Sequence, residues 1–266
     1  MMRSVALSAV VVLLVAGCSS SGTSSGSSPA ASSGTPSAAG SSPSKLSGSI
    51  TVLAAASLTE AFTTIKADFV KAHPGVSVTI TFGASSDLST QINNGAPADV
   101  FASASEKNMK AATSASNPQD FVSNTLEIAT PPDNPGKITS LADLAKPGLK
   151  VAVCAATVPC GVVARKVFAN AKIAVQPVAS LADVKSTLSA VESGEVDAGL
   201  VYVTDVRAAG AKVKGVVIPA NVNASTKYPI AALSSSKNAA VATAFVDYVL
   251  SPAGEQVLTA DGFSRP

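Results

Sequence analysis

Five turns of this chain place hydroxyls and exposed amides where a strand-like run gives way to a helix-like run. The first is Leu53-Ala54-Ala55-Ala56-Ser57-Leu58-Thr59-Glu60. Ser57 and Glu60 have the S-x-x-E spacing of a capping box. The same residues have a second use. A helix N-terminus offers unpaired N–H groups and a partial positive charge, which suit an oxyanion. The second turn is Phe82-Gly83-Ala84-Ser85-Ser86-Asp87-Leu88, where small residues let the backbone come close and Ser85 or its neighbour Ser86 supplies a hydroxyl. In the third, Thr157-Val158-Pro159-Cys160-Gly161, a proline just before the helix leaves Cys160 and Gly161 to present first-turn amides. The fourth is Ser180-Leu181-Ala182-Asp183-Val184. If Asp183 rather than Ser180 is the cap, the Val184 N–H is free. The fifth is Tyr202, whose phenol ends the Gly199-Leu200-Val201 run and can point into a cleft at a strand's carboxyl end.

Taken singly, each turn is unspecific. Together, the five turns describe a dianion site of hydroxyls and amides without Lys or Arg. A hydrogen bond to a charged group contributes about 1.5–3 kcal/mol, so several can offset dehydration of a tetrahedral dianion. A fixed ring of donors also opposes a protonated ligand, because donor would face donor.

The elements that must position these turns read as α/β, since short apolar runs alternate with amphipathic stretches. Strands are expected at Ile50–Ala54, Val76–Phe82, Val100–Ala102, Leu126–Thr130, Lys150–Val153, Gly199–Tyr202 and Val213–Ile218. Helices are expected at Leu58–Ala72, from the second Ser turn to Asn94, and at Glu106–Ala112, Gly161–Asn170 and Leu181–Ser193. A last helical segment runs from Ala239 to Leu258, with a new turn at Ser251-Pro252. The Pro131–Gly136 cluster is the candidate crossing between two lobes, and the chain returns near Tyr228–Leu233. Lobe 1 is then residues 48–130 with 229–266, and lobe 2 is residues 131–228.

Composition narrows the chemistry. Among 266 residues with net charge +2, only 14% are charged, Trp is absent and His73 is the one histidine. This gives no electrostatic reason to expect nucleic acid, and it speaks against acid–base catalysis near neutral pH. A serine hydrolase would need His73 as its base, and no G-x-S-x-G surrounds Ser57 or Ser85. An iron site would draw on Tyr202, Tyr228 and Tyr248, of which Tyr248 falls on the apolar face of the terminal helix. An adhesin role leaves the five donor turns without a use.

The N-terminus reads as targeting rather than fold. Arg3 and the apolar run Val5–Val15 have the form of a signal peptide, residues 1–17. Val15-Ala16-Gly17-Cys18 resembles a bacterial lipobox, so Cys18 is expected to carry lipid on the outer face of the cell membrane. Residues 19–44 contain only Ser, Gly, Ala, Pro and Thr, and residues 18–47 are expected to form a flexible tether. Cys154 and Cys160 remain, and in an exported protein they are either a disulfide or two buried thiols.

At these turns the chain resembles the molybdate-binding proteins of ABC transporters, from about Ser49 to Phe263. The resemblance lies in Ile50–Leu58, Gly95-Ala96-Pro97-Ala98-Asp99-Val100-Phe101, Val158-Pro159-Cys160-Gly161 and Gly199–Tyr202, with the Val184-to-Tyr202 distance free of gaps. It implies a two-lobed periplasmic-binding-protein-like (type II) fold with two hinge crossings. It implies Ser57 and Ser85 as hydroxyl and amide donors from lobe 1, with the amides of Cys160 and Val184 and the hydroxyl of Tyr202 from lobe 2. It further implies molybdate, and tungstate with it, as ligand and no cofactor. A monomer that is not an enzyme would hand the anion to a permease and its ATPase. Sulfate or phosphate is the rival ligand. Where this chain has Cys160 the family often has Ala, which leaves the amide donor in place.

Overall fold

The computed structural model describes residues 45–266. The leader, Cys18 and the tether up to residue 44 lie outside the described residues. The chain opens with β1 (Ser47–Ala55), a single 3₁₀ turn (Ala56–Leu58), α1 (Thr59–Ala72), β2 (Gly75–Gly83), α2 (Ser85–Asn93), β3 (Val100–Ala102), α3 (Glu106–Ala111) and the long β4 (Ala115–Thr130). After a 3₁₀ segment come β5 (Val151–Cys154), α4 (Pro159–Ala171), β6 (Ala179–Leu181), α5 (Val184–Glu192), β7 (Ala198–Tyr202), α6 (Val203–Ala209) and β8 (Lys214–Val217). The chain then closes with β9 (Ser225–Leu233), α7 (Ala239–Leu250) and α8 (Pro252–Ala260).

The strands pair in the order β2-β1-β3-β9-β4-β7-β5-β6, with β8 also on β4. Within the first half of this path β1 runs parallel to β2 and β3, and within the second β5 runs parallel to β6 and β7. Parallel strands need crossover connections, which the helices supply. β1 shows why it sits between two neighbours: Val52 through Ala55 are all buried, the unbroken apolar run of a strand covered on both faces. α1 covers it with Ala61, Phe62, Ile65 and Phe69, a stripe at helical spacing. Phe62 and Phe69 meet Phe245 of α7 edge-on, at ring-centroid distances of 6.2 and 5.2 Å. Each such buried side chain contributes about 1.5–3 kcal/mol. His73 caps α1 through its amide, 3.0 Å from the Phe69 carbonyl.

Two antiparallel strands join the halves. β4 pairs with β9 from Ala115 to Thr125, then with β7 and β8 from Leu126 to Thr130. Strand pairing therefore changes sides at Thr125–Leu126, ahead of the Pro131–Gly136 cluster expected to mark the crossing. The first eleven residues of β4 are a departure from the expected Leu126–Thr130 strand. They are polar and mostly exposed up to Asp120, contain Pro118, and carry Asn117 at φ 46°, with register shifts between Ser116 and Gln119 and between Asp120 and Val122. Apolar side chains form three cores, one around Phe62, Phe69 and Phe245 and another around Leu53, Leu88 and Phe101 on the first half, and one around Val151, Val167, Val191 and Leu200 on the second.

Candidate functional site

Each of the five expected residues stands where a strand ends or a helix begins. Ser57 lies in the 3₁₀ turn, 3% exposed, and its Oγ is 2.8 Å from the Tyr228 hydroxyl. The capping box expected of Ser57 and Glu60 is absent. The 3₁₀ turn moves the start of α1 past Ser57, no side chain caps α1, and the Glu60 carboxylate meets Lys185 instead.

Ser85 is the first residue of α2, and its Oγ accepts the Ala104 N–H at 2.9 Å. Ser86 turns its hydroxyl to the Asp87 carboxylate, 3.1 Å away. Cys160 follows Pro159 in the first turn of α4 and is joined to Cys154 at the end of β5, with a Cα–Cα distance of 5.7 Å. Gly161 is required beside it, because a β-carbon there would overlap the carbonyl oxygens of Ala155 and Cys154. Val184 opens α5. Asp183, not Ser180, is the cap, and its Oδ1 accepts the Ser186 N–H at 2.8 Å. The amides of Val184 and Lys185 then have no carbonyl acceptor within their helix, as at any helix start.

Tyr202 ends β7 and is 1% exposed. Its hydroxyl has no hydrogen-bond partner among the described residues. Burial pushes the phenol well above its ordinary pKa, so it stays a donor.

These five residues line one cavity of about 20 Å³, together with Ala55, Ala56, Gly83, Ala84, Ala104 and Asp183. Ser86 is not among its walls. No Lys or Arg lines it, and the Asp183 carboxylate is turned to an amide of its own helix. A larger cavity of about 570 Å³ lies beside Leu126, Glu127 and Val217 and holds none of the five. Volume is the wrong guide here. A buried hydroxyl without a partner costs about 1–3 kcal/mol, so the small cavity marks where a partner belongs.

Besides Asp183, three charged residues stand next in sequence or one turn away from the wall residues. Lys185 Nζ is 2.8 Å from Glu60 Oε1 and 3.1 Å from Asp205 Oδ1. Asp205 is fully buried, and its Oδ2 accepts the Tyr202 N–H at 3.1 Å. Burial pushes the Asp205 carboxyl up to about 6, with Lys185 pulling the other way. The short helix α6 that carries Asp205 was not expected from sequence. The Tyr202-x-x-Asp205 spacing, a cap followed three residues on by an acid, is the signal that could have found it. Tyr228 was likewise weighed only as an iron ligand, and no local pattern points to its bond with Ser57, 171 residues away. Among the described residues no group of three or more His, Cys, Asp or Glu could hold a metal ion, and no helix is long and apolar enough to cross a membrane.

Known proteins resemble this chain in sequence and in fold. Residues 50–264 match the family of bacterial extracellular solute-binding proteins. The molybdate-binding protein ModA of Mycobacterium tuberculosis is 42% identical over 222 residues, which cover 82% of this chain and 85% of that one. The substrate-binding domain of a molybdenum ABC transporter from Clostridium difficile is 30% identical, with a TM-score of 0.62 over 82% of this chain and 99% of its own. The periplasmic molybdate-binding protein of Azotobacter vinelandii shares the fold, with a TM-score of 0.73 at 23% identity over 82% of this chain and 99% of its own. The chain belongs to the bacterial extracellular solute-binding proteins, within the molybdate-binding family of ABC importers.

Proposed function

We propose that this protein captures molybdate in the cavity and delivers it to an ABC importer. The observation that carries the reading is the Tyr202 hydroxyl, buried and unpartnered in a cavity whose other polar walls are hydroxyls, helix-start amides and Asp183, whose carboxylate is taken by the Ser186 amide. Ser57, Ser85, Cys160, Val184 and Tyr202 are the donors, with the amide rather than the side chain acting at Cys160 and Val184. Several charge-assisted hydrogen bonds of about 1.5–3 kcal/mol each make up for the dehydration of the anion. The relatives' named ligand favours molybdate over sulfate. Tungstate, with the same charge and nearly the same size, binds the same ring.

The rest of the reading follows from the family and the leader. The protein is a carrier and catalyses no reaction. It works outside the cytoplasm, as a monomer held to the membrane by lipid on Cys18, and a permease with its ATPase receives the anion. Residues 48–130 with 229–266 and residues 131–228 act as two lobes that close on the ligand, the hinge lying in the two strands that join the halves of the sheet.

Calorimetric titration of residues 47–266 with molybdate, tungstate, sulfate and phosphate tests this. Tight binding of the first two with little response to the others is expected. A preference for sulfate or phosphate would overturn the ligand, and no binding of any of the four would overturn the reading.

A further inference from the structure

Tyr228 lies in β9, is fully buried and belongs to none of the five turns. Its bond with Ser57 Oγ is the one that meets full hydrogen-bond geometry among the described residues, with the Asn124 side chain and the Tyr202 hydroxyl also close to the phenol. Two hydroxyls sharing one bond carry two protons, and only one proton fills the bond. Suppose Ser57 donated. The Tyr228 proton would then be left in a buried place where the Tyr202 hydroxyl stands outside hydrogen-bond geometry. Ser57 would also turn a lone pair toward an anion. If Tyr228 donates, its proton is used, and the Ser57 proton is free for the cavity. Burial holds the Tyr228 phenol above its ordinary range, so the proton is there to give. Ser85 is treated alike: its oxygen accepts the Ala104 N–H, which leaves its own proton for the cavity.

We infer that Tyr228 is a positioning residue for anion selection: by donating to Ser57 it fixes the Ser57 hydroxyl as a donor toward the bound oxyanion. The inference rests on the oxyanion reading of the cavity. Its consequence is a ring that presents only protons. An oxyanion that carries a proton of its own then meets a donor at one corner, a mismatch built against the wrong ligand. Selenate and arsenate separate this effect from size. They are alike in shape, and near neutral pH arsenate keeps a proton where selenate has none.

Tyr228→Phe removes the phenol oxygen and keeps the ring that packs edge-on against Tyr202, Phe121 and Phe263. Molybdate titrations of the wild type, Tyr228→Phe, Ser57→Ala and the double variant form a cycle. Tyr228→Phe is expected to weaken binding about tenfold. In the Ser57→Ala background it should add less than about twofold, since a residue acting through Ser57 has nothing left to act on. Losses that multiply, or an unchanged affinity in Tyr228→Phe, would overturn the inference. A second measurement needs no variant: competition against molybdate bound to the wild type, where selenate should displace it better than arsenate. Equal displacement would remove the donor-only ring. A wild type that binds molybdate but fails these tests loses only the role of Tyr228. A wild type that binds no molybdate loses the reading beneath it.

Discussion

Lys185 Nζ stands 2.8 Å from both carboxylate oxygens of Glu60, although 125 residues separate them in the chain. The ammonium also reaches Asp205 Oδ1, so one lysine ties α1, on the first half of the sheet, to α5 and α6 on the second. Each member of this triad trails a residue of the cavity wall. Glu60 comes three after Ser57, Lys185 one after Val184, and Asp205 three after Tyr202. One to three residues thus separate each of these donors from a charge behind it. Selection by geometry stays in front, and the full charges that would hold any anion stay away.

The two ends of Lys185 are not equal. Glu60 is 44% exposed in its side chain, and an exposed pair is worth under about 1 kcal/mol. Asp205 is fully buried, and removing the partner of a buried charge costs about 3–5 kcal/mol. Urea unfolding should therefore show Glu60→Gln close to wild type and Lys185→Gln strongly destabilised. Equal losses in the two variants would mean that Lys185 does not hold Asp205.

Acidity should reveal the same carboxyl. Its folded pKa, raised from 3.8 to about 6, means that between these values the folded protein keeps a proton that the unfolded chain has released. Stability must then rise as pH falls through that window, and above it the charged, buried carboxylate costs about 3 kcal/mol. Asp143 has the opposite sign. Lys146 and the Thr139 amide hold it below the carboxylate range, so its contribution is intact above 3.8 and is lost on further acidification. Urea midpoints at mildly acidic and at neutral pH should rise on acidification for wild type and rise clearly less for Asp205→Asn, which keeps Glu127 and Asp261, also raised by burial. A flat wild type would sink the assignment.

The bond between Cys154 and Cys160 closes a short loop, with a sequence separation of 6. Its loop-closure share of stability is about 2 kcal/mol in the chain-entropy account. The larger effect should be local. The loop carries Pro159 and the first turn of α4, so the bond fixes where the Cys160 amide points. Replacing both cysteines by Ala should lower the unfolding midpoint modestly and weaken molybdate binding by severalfold, whereas tungstate and molybdate should fall together. Full affinity in the double variant would show that Gly161 packing alone aims the turn.

The walls of the cavity were legible because each is a local event. A strand that ends in small residues and opens a helix leaves free amides whatever the rest of the chain does, so the second, third and fourth turns could be picked out. The choice between Ser85 and Ser86 was not local. It follows from which residue begins α2 and from Ala104, 19 residues on, whose amide takes one hydroxyl. Ser57 and Glu60 carried a spacing that misleads, because a 3₁₀ turn displaced the helix start. The first stretch of β4 was hidden for another reason. Paired strands tolerate polar residues on an exposed face, so Ala115–Asp120 has no apolar alternation to read. Tyr228 meets Ser57 across 171 residues and Lys185 meets Glu60 across 125, and such pairings exist in the folded chain alone.

Tyr202→Phe divides binding from stability. In the unliganded protein the hydroxyl is buried without a partner, so its removal relieves a desolvation cost and should leave the unfolding midpoint unchanged or slightly raised. Packing is conserved, because the ring keeps its edge-on contact with Tyr228 at 6.2 Å. In the complex the same hydroxyl meets an anion, and its loss should weaken molybdate binding by about 1–3 kcal/mol. The two effects have opposite signs, which a general packing defect does not produce. Thermal unfolding with and without molybdate reads both at once: the variant should start level with wild type and gain less from the ligand. A variant that is destabilised without ligand, yet gains as much as wild type with it, would take Tyr202 out of the site.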